Sequence, residues 1–272
     1  MRLLAVRVLA VRVMAVLFAL TWLVLPGFGL TDLSVTWDPD WPVVLEASWG
    51  MFMTVLVGGP FLAVAVTPHR TAPAQATLLV AFATMAVAVV AGLEWPLLLF
   101  VGVLVVEAAV VTALLPARER VLPLARSLSV PLLVVAALGV VPGVLHAERM
   151  FAGSRRGAGV IIGDVTMGVD HYAVQGAFAL ALPALALLAA VWPRGRRFLG
   201  IGAGLCAGYV GLVSFAFPGT WAGVPELESA LCIGWGVAVA ALAVLGPTAA
   251  PAPQRGRRAP ASPATAPPCA TP

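Results

Sequence analysis

Residues 96–115 read PLLLFVGVLVVEAAVVTALL, an apolar run interrupted by one charged residue, Glu107. A bilayer-crossing α-helix needs about 20 predominantly apolar residues, so this run is long enough to span a membrane. A carboxylate at that depth is unfavourable unless it is neutral or paired, and ionisable residues inside membranes are frequently functional. The run therefore predicts a transmembrane helix and makes Glu107 the first candidate functional residue.

Seven further runs resemble this one in length and composition. The chain of 272 residues is 61% hydrophobic and 10% charged, whereas about 25% of residues in an ordinary soluble domain are charged. A segment in lipid must satisfy its backbone hydrogen bonds internally, which favours helices. Residues 1–246 are therefore predicted to form an all-α bundle of eight transmembrane helices. The predicted spans are residues 11–30, 49–68, 74–93, 96–115, 128–146, 171–192, 198–217 and 228–246.

The arginine distribution predicts that both ends of the chain lie in the cytoplasm. All 16 basic residues are arginines, and with the N-terminus inside only Arg149, Arg155 and Arg156 would lie outside. Cytoplasmic loops carry an excess of basic residues, so this orientation is favoured. The acidic residues predicted to lie outside are Asp32, Asp38, Asp40, Glu46, Glu94, Glu148, Asp164, Asp170, Glu226 and Glu228.

Composition also bears on origin and on the end of the chain. The absence of lysine and asparagine, with abundant alanine, valine, glycine and proline, is typical of a GC-rich genome. We therefore expect a multi-pass protein of a bacterial plasma membrane. Residues 247–272 are too rich in proline, alanine and small polar residues to pack a core, so they are predicted to form a disordered cytoplasmic tail.

Three roles are open for Glu107. A protonated carboxyl could form a structural hydrogen bond between helices. It could instead couple transport to proton exchange, or line a pathway without coupling. No basic residue lies within one helical turn of it in the sequence, so any partner must come from another span.

The segment before the sixth predicted span is the densest polar stretch near the membrane, and it contains Asp164, Asp170, His171 and Gln175. Asp170 is well placed to cap the following helix, because aspartate accepts hydrogen bonds from free N–H groups at helix starts. His171 and Gln175 are four residues apart and share one helix face. We expect either a ligand or ion site at the outer mouth of the bundle, or a capped helix entrance at headgroup depth.

A weaker pattern concerns metal or haem binding. Thioethers and imidazoles suit copper, and two histidines can hold a haem. The residues of these types near the predicted outer side are Met51, Met53, His146, Met150, Met167 and His171. They are scattered and lack a repeated spacing, so no cofactor is predicted, with copper or haem as the less favoured alternative.

The seventh span carries Gly200, Gly204 and Gly208 at four-residue intervals. Such a series places small residues on one face and permits close helix packing. It predicts packing within the chain, with a homo-oligomer contact as the alternative. Pro60, Pro142 and Pro183 fall inside predicted spans and are expected to bend their helices.

Several protein classes are excluded by missing motifs. The chain has no GxxxxGK[ST] loop, no HExxH zinc-protease motif and no GxSxG nucleophile elbow. Its basic residues lie in short loops, which argues against nucleic acid as a partner. The favoured hypothesis is a permease for a small molecule or ion, embedded in the lipid bilayer. The alternatives are a non-catalytic membrane scaffold or assembly partner, and a copper- or haem-binding redox protein or membrane enzyme.

Overall fold

A computed structural model of the protein describes residues 2–115 and 128–246, so the predicted tail, residues 247–272, lies outside the described residues. Within the described part, eight helices are long and apolar enough to cross a membrane, which is consistent with an all-α multi-pass membrane protein. These helices are Leu4–Leu23, Val43–Val66, Ala72–Gly92, Leu97–Leu114, Val130–Arg155, His171–Val191, Arg196–Ala216 and Glu226–Leu245.

Some of these helices are composed of shorter elements, and short elements also lie between them. The elements in chain order are α1 (Arg2–Leu23), α2 (Gly29–Val35), α3 (Val43–Met51), a π-helical turn (Phe52–Gly58), α4 (Gly59–Val66), α5 (Ala72–Gly92), α6 (Leu97–Leu114), α7 (Val130–Leu138), α8 (Val140–Arg155), α9 (Ala158–Ile162), β1 (Val165–Thr166), β2 (Val169–Asp170), α10 (His171–Val191), α11 (Arg196–Ala216) and α12 (Glu226–Leu245).

Helix α10 is the centre of the bundle. It packs against α3, α5, α7, α8 and α11, and most of its residues are buried. The helices α1, α12 and the pair α7–α8 are largely exposed, as expected for helices that face lipid on one side. The candidate functional residues Glu46 and His171 lie where α3 and α10 begin.

Three predicted boundaries were wrong in a way that affects the site. The first span begins well before residue 11 and ends at Leu23, since Pro26 cannot continue the helix and Phe28 has a left-handed backbone with φ of 54°. The second span begins at Val43 rather than at residue 49, so Glu46 belongs to a helix and not to a loop. The fifth continues to Arg155, which places His146 inside a helix rather than at its end.

The prolines within spans have different local effects. A π-helical turn, Phe52–Gly58, precedes Pro60, and α7 ends at Leu138 shortly before Pro142. Proline removes a backbone hydrogen bond and its ring clashes with the preceding turn, which accounts for both interruptions. Helix α10 continues through Pro183 without interruption. Local breaks are therefore present in the second and fifth spans.

The glycine series of α11 packs against α12 of the same chain. A Cβ added at Gly204 would meet the Gly236 carbonyl and the Ala240 side chain, and one at Gly200 would meet Ala243. A Cβ at Gly208 would meet no atom within 4 Å. Gly200 and Gly204 thus permit close packing of α11 against α12 within one chain. A homo-oligomer contact through the glycine series stays a prediction.

We predict that Gly204→Ala lowers the stability of the protein, because the new methyl group must separate α11 from α12. Overpacking of this kind costs about 1–3 kcal/mol. Gly208→Ala is the matched control and should leave stability nearly unchanged. Thermal unfolding of the detergent-purified variants measures both, and equal losses for the two variants would contradict the packing described.

Candidate functional site

Four ionisable side chains meet at the end of the bundle that the arginine distribution predicts to be outside. Asp32 comes from α2, Glu46 from α3, Asp164 from the segment between α9 and β1, and His171 from the first turn of α10. Each residue is at most 6% exposed. We call these four residues the acidic–imidazole cluster.

The imidazole of His171 lies between two of the carboxyls. Its Nδ1 atom is 2.8 Å from Oδ1 of Asp164 and 4.0 Å from Oε2 of Glu46. Neither ring nitrogen forms a hydrogen bond of normal geometry, and Oε2 of Glu46 and Oδ2 of Asp164 also lack partners. One ligand atom each from Glu46, Asp164 and His171 lies within 4.8 Å of the others, which is a spacing suited to a metal ion.

Asp32 is the fourth member of the cluster and lies beside Glu46. Burial, and then the neighbouring Glu46 carboxyl, raise the pKa of Asp32 to about 9, because both disfavour its charged form. Asp32 is a hydrogen-bonding neighbour of Glu46, and its neutral form is favoured over its charged form. Glu46 has a second carboxyl neighbour in Asp164.

Among residues 2–115 and 128–246, no arginine forms an ion pair with these carboxyls. Arginine ion pairs in this part of the chain include Arg149 with Glu228 and Arg155 with Glu148. Both of these pairs involve exposed side chains and lie outside the cluster. Three carboxyls are thus buried around a single imidazole, and the group carries an excess of acidic over basic side chains.

A short hairpin brings Asp164 to His171. Strands β1 and β2 pair antiparallel, with Val165 opposite Asp170, so the flanking Asp164 and His171 face each other. Met167 and Gly168 form the turn with φ values of 54° and 79°, as two-residue hairpin turns require. The amide of Asp164 donates to the carbonyl of Gly159 at 2.7 Å, which fixes the start of the hairpin.

Asp170 caps α10, as the sequence predicted. Its Oδ1 accepts a hydrogen bond from the Tyr172 amide at 2.7 Å. A Cβ at Gly159 would collide with the Asp170 carboxyl, so only glycine fits at that position. Burial raises the pKa of Asp170, although the amides of Tyr172 and Gly159 oppose this by bonding to its charged form. Asp170 therefore positions His171 and is not itself part of the cluster.

Trp49 fixes the plane of the His171 ring. The two rings stack with centroids 4.2 Å apart and an interplanar angle of 28°. The indole Nε1 of Trp49 donates to the Gly27 carbonyl at 2.8 Å, which holds the tryptophan itself in place. Since Trp49 is fully buried, water has no access to His171 from that side.

Gln175 belongs to a neighbouring polar contact. Its Nε2 atom lies 3.0 Å from Nε2 of His146 and donates to the Ala222 carbonyl at 3.1 Å. Its Oε1 atom is buried without a partner. His146 therefore pairs with Gln175, and the group with metal-ligand spacing contains His171 but not His146.

The methionines considered for copper do not form a set. Met51 and Met53 are buried in the apolar core. Met150 packs with Leu45 and Tyr172 in a separate apolar cluster, and Met167 at the hairpin turn is 58% exposed. The candidate ligands that the structure brings together are an imidazole and carboxylates.

Glu107 lies elsewhere and has its own partner. It is ten residues beyond Leu97 in α6, about 15 Å along the helix axis. Its Oε2 accepts a hydrogen bond of 2.5 Å from Nε1 of Trp22 in α1, and the Thr21 hydroxyl is a second hydrogen-bonding neighbour. Glu107 thus joins α6 to α1.

Aromatic rings lie between Glu107 and the cluster. The ring of Phe100 is 6.1 Å from that of Trp22 and 5.6 Å from that of Trp49. Trp22 holds Glu107, and Trp49 stacks on His171. The two groups of ionisable residues are therefore connected through three aromatic side chains rather than through polar ones.

Sequence reasoning missed Asp32 and Glu46. The sequence pattern predicts both in a loop on the outer side. The available signal was Pro42 directly before the apolar run at Val43, since proline is common at helix starts. That signal would have placed Glu46 in the first turn of a helix. Nothing in the sequence indicated that α2 folds back against α3.

Comparison with models of known protein families, with curated proteins and with solved structures finds no match to this chain. The function is therefore inferred from the geometry of the site.

We predict that Glu107 and Trp22 stabilise the protein as a pair. Glu107→Leu leaves the buried indole N–H without an acceptor, which costs about 1–3 kcal/mol. Glu107→Gln retains an acceptor oxygen and should cost much less. Thermal unfolding of the purified variants measures this difference.

A double-mutant cycle separates the pair from general packing effects. Glu107→Leu combined with Trp22→Phe should be less destabilised than the sum of the single variants, because neither buried polar group remains. Strictly additive losses would show that the contact contributes nothing to stability.

Proposed function

We propose that the protein is a permease for a small cation, and that the acidic–imidazole cluster is where the ion binds. The observation that carries this proposal is the excess of buried acidic groups. Carboxylates removed from water are unfavourable unless they are protonated or paired with a cation. With no arginine paired to them in the described part of the chain, protons or a bound cation must balance the cluster.

The proposed topology places the cluster at the outer face. In this proposal eight helices cross a bacterial plasma membrane, and both ends of the chain are cytoplasmic. The supporting observation is that the loops predicted to be inside carry most of the arginines. An ion entering from outside would then meet Asp32, Glu46, Asp164 and His171 before it reached the centre of the bundle.

The route beyond the cluster is closed by the three aromatic rings of Trp49, Phe100 and Trp22, with Glu107 on the far side. A permease must move such a barrier during transport. The helix that carries Glu46 contains the π-helical turn Phe52–Gly58, and π-helical turns are frequent at functional sites. Interrupted helices also line binding sites in many transporters. These features support a conformational change centred on the second span.

A non-catalytic scaffold is the second candidate. The contact between Glu107 and Trp22 favours it, because a carboxyl that already has a hydrogen-bond partner needs no transported ion or proton. The scaffold does not account for the unpartnered atoms of Glu46, Asp164 and His171, which is why we place the permease first.

Flux through reconstituted protein tests the proposal. The full-length protein is inserted into liposomes that contain pyranine for protons or a metal-sensitive dye, and gradients of H⁺, Na⁺, K⁺, Mg²⁺, Mn²⁺ and Zn²⁺ are applied in turn. We expect flux for at least one cation. Glu46→Gln and Asp164→Asn should reduce that flux by about tenfold or more, as loss of a metal or ion ligand does.

Asp40→Asn is the matched control, since Asp40 is an exposed carboxyl in the segment that precedes Glu46. Its flux should equal that of the unmodified protein. Absence of flux for every cation, with protein correctly inserted, would contradict the permease and favour the scaffold.

A further inference from the structure

We infer that the cation bound by the acidic–imidazole cluster is a divalent transition-metal ion of the Zn²⁺, Mn²⁺ or Fe²⁺ class. Its ligands are Nδ1 of His171 and one carboxylate oxygen each from Glu46 and Asp164. This inference rests on the proposed function, because it names the substrate class of the same site.

The distances between the ligand atoms fit such an ion. With bonds of about 2.0–2.2 Å, two ligands of a tetrahedral ion are separated by about 3.3–3.6 Å. Nδ1 of His171 lies 2.8 Å from Oδ1 of Asp164 and 4.0 Å from Oε2 of Glu46, values that bracket this separation. All three ligand atoms lie within 4.8 Å of one another, close enough to surround one ion.

Atoms of the same three side chains lack hydrogen-bond partners: Nδ1 and Nε2 of His171, Oε2 of Glu46 and Oδ2 of Asp164. Native proteins pair about nine-tenths or more of their buried polar groups, so several unpaired atoms in one place require an explanation. The side chain of His171 is 0% exposed, and both of its nitrogens are unpartnered while Nδ1 points toward the carboxyls. A bound ion would provide a partner for Nδ1 of His171 and for carboxylate oxygens of Glu46 and Asp164 at the same time.

Charge favours a dication over a monovalent ion. Two carboxylates balance a charge of +2, whereas Na⁺ or K⁺ would leave a buried negative charge. Asp32 lies beside Glu46 and orients it without being a ligand. Partners of this kind are a regular feature of metal sites.

The ligand types select among the dications. Ca²⁺ and Mg²⁺ prefer oxygen ligands alone, so the imidazole of His171 argues against them. The monovalent ion copper(I) is disfavoured separately, because it prefers thiolates and thioethers, which this set does not contain. A mixed set of one imidazole and two carboxylates suits Zn²⁺, Mn²⁺ and Fe²⁺. Three protein ligands also leave a coordination position open for water.

Metal binding to the purified full-length protein tests the inference. Protein stripped of metal in detergent is titrated with Zn²⁺ and Mn²⁺ by calorimetry. We expect one equivalent to bind, with affinity reduced by about tenfold or more in Glu46→Gln, Asp164→Asn and His171→Gln. His146→Gln is the matched control, because His146 is a histidine at the same end of the bundle but outside the ligand set. Its affinity should be unchanged.

A second measurement uses the unmodified protein and so does not depend on the variants folding. Pulsed electron paramagnetic resonance of bound Mn²⁺ should show coupling to one imidazole nitrogen. Failure of the unmodified protein to bind Zn²⁺ and Mn²⁺ at micromolar concentrations, equal binding in the three ligand variants, or Mn²⁺ without nitrogen coupling would each overturn the inference.

The outcomes separate this inference from the permease. Metal binding at these ligands without flux in liposomes would keep the metal site and reject transport. Flux of H⁺, Na⁺ or K⁺ without metal binding would overturn the metal site and keep the permease.

Discussion

Three carboxyls are buried at the junction of α2, α3, α10 and the β-hairpin, and these elements can pack together only if the charge of the carboxyls is balanced. Asp32, Glu46 and Asp164 repel one another unless protons or a cation lie among them, and the basic side chain that contacts them within residues 2–115 and 128–246 is His171. The hairpin turn and the stacked Trp49 hold this group together. Apolar side chains would fill the same space with less electrostatic strain, and this contrast supports the proposed ion site.

The two places where carboxyls are buried differ in how their hydrogen-bonding capacity is used. Glu107 lies deeper in the membrane span, yet Trp22 donates to it, so it is stable without a ligand. Glu46 and Asp164 lie nearer the end of the bundle and retain unpartnered oxygens. Glu107 is easily recognised in the sequence because it is the charged residue within the apolar run 96–115. The unsatisfied atoms are the stronger indication of function, because hydrogen-bonded carboxyls are common structural elements.

The fold was more predictable than the site, for physical reasons. Long apolar runs are dictated by bilayer thickness, so the spans could be found from the sequence with errors only at their ends. Asp164 and His171 were identified because they flank a helix start. Their meeting with Asp32 and Glu46 depends on the hairpin and on α2 folding back against α3. Such contacts between distant segments produce no periodic pattern in the sequence. In addition, a second span that begins at residue 49 rather than at Val43 places Glu46 in a loop.

X-ray diffraction at the absorption edge of Mn²⁺ or Zn²⁺ would locate a bound ion by its anomalous signal. For crystals of the full-length protein grown with either ion, we predict an anomalous peak about 2.0–2.2 Å from Nδ1 of His171 and from oxygens of Glu46 and Asp164. Peaks confined to exposed carboxylates, with the cluster occupied only by hydrogen-bonded carboxyls, would contradict it.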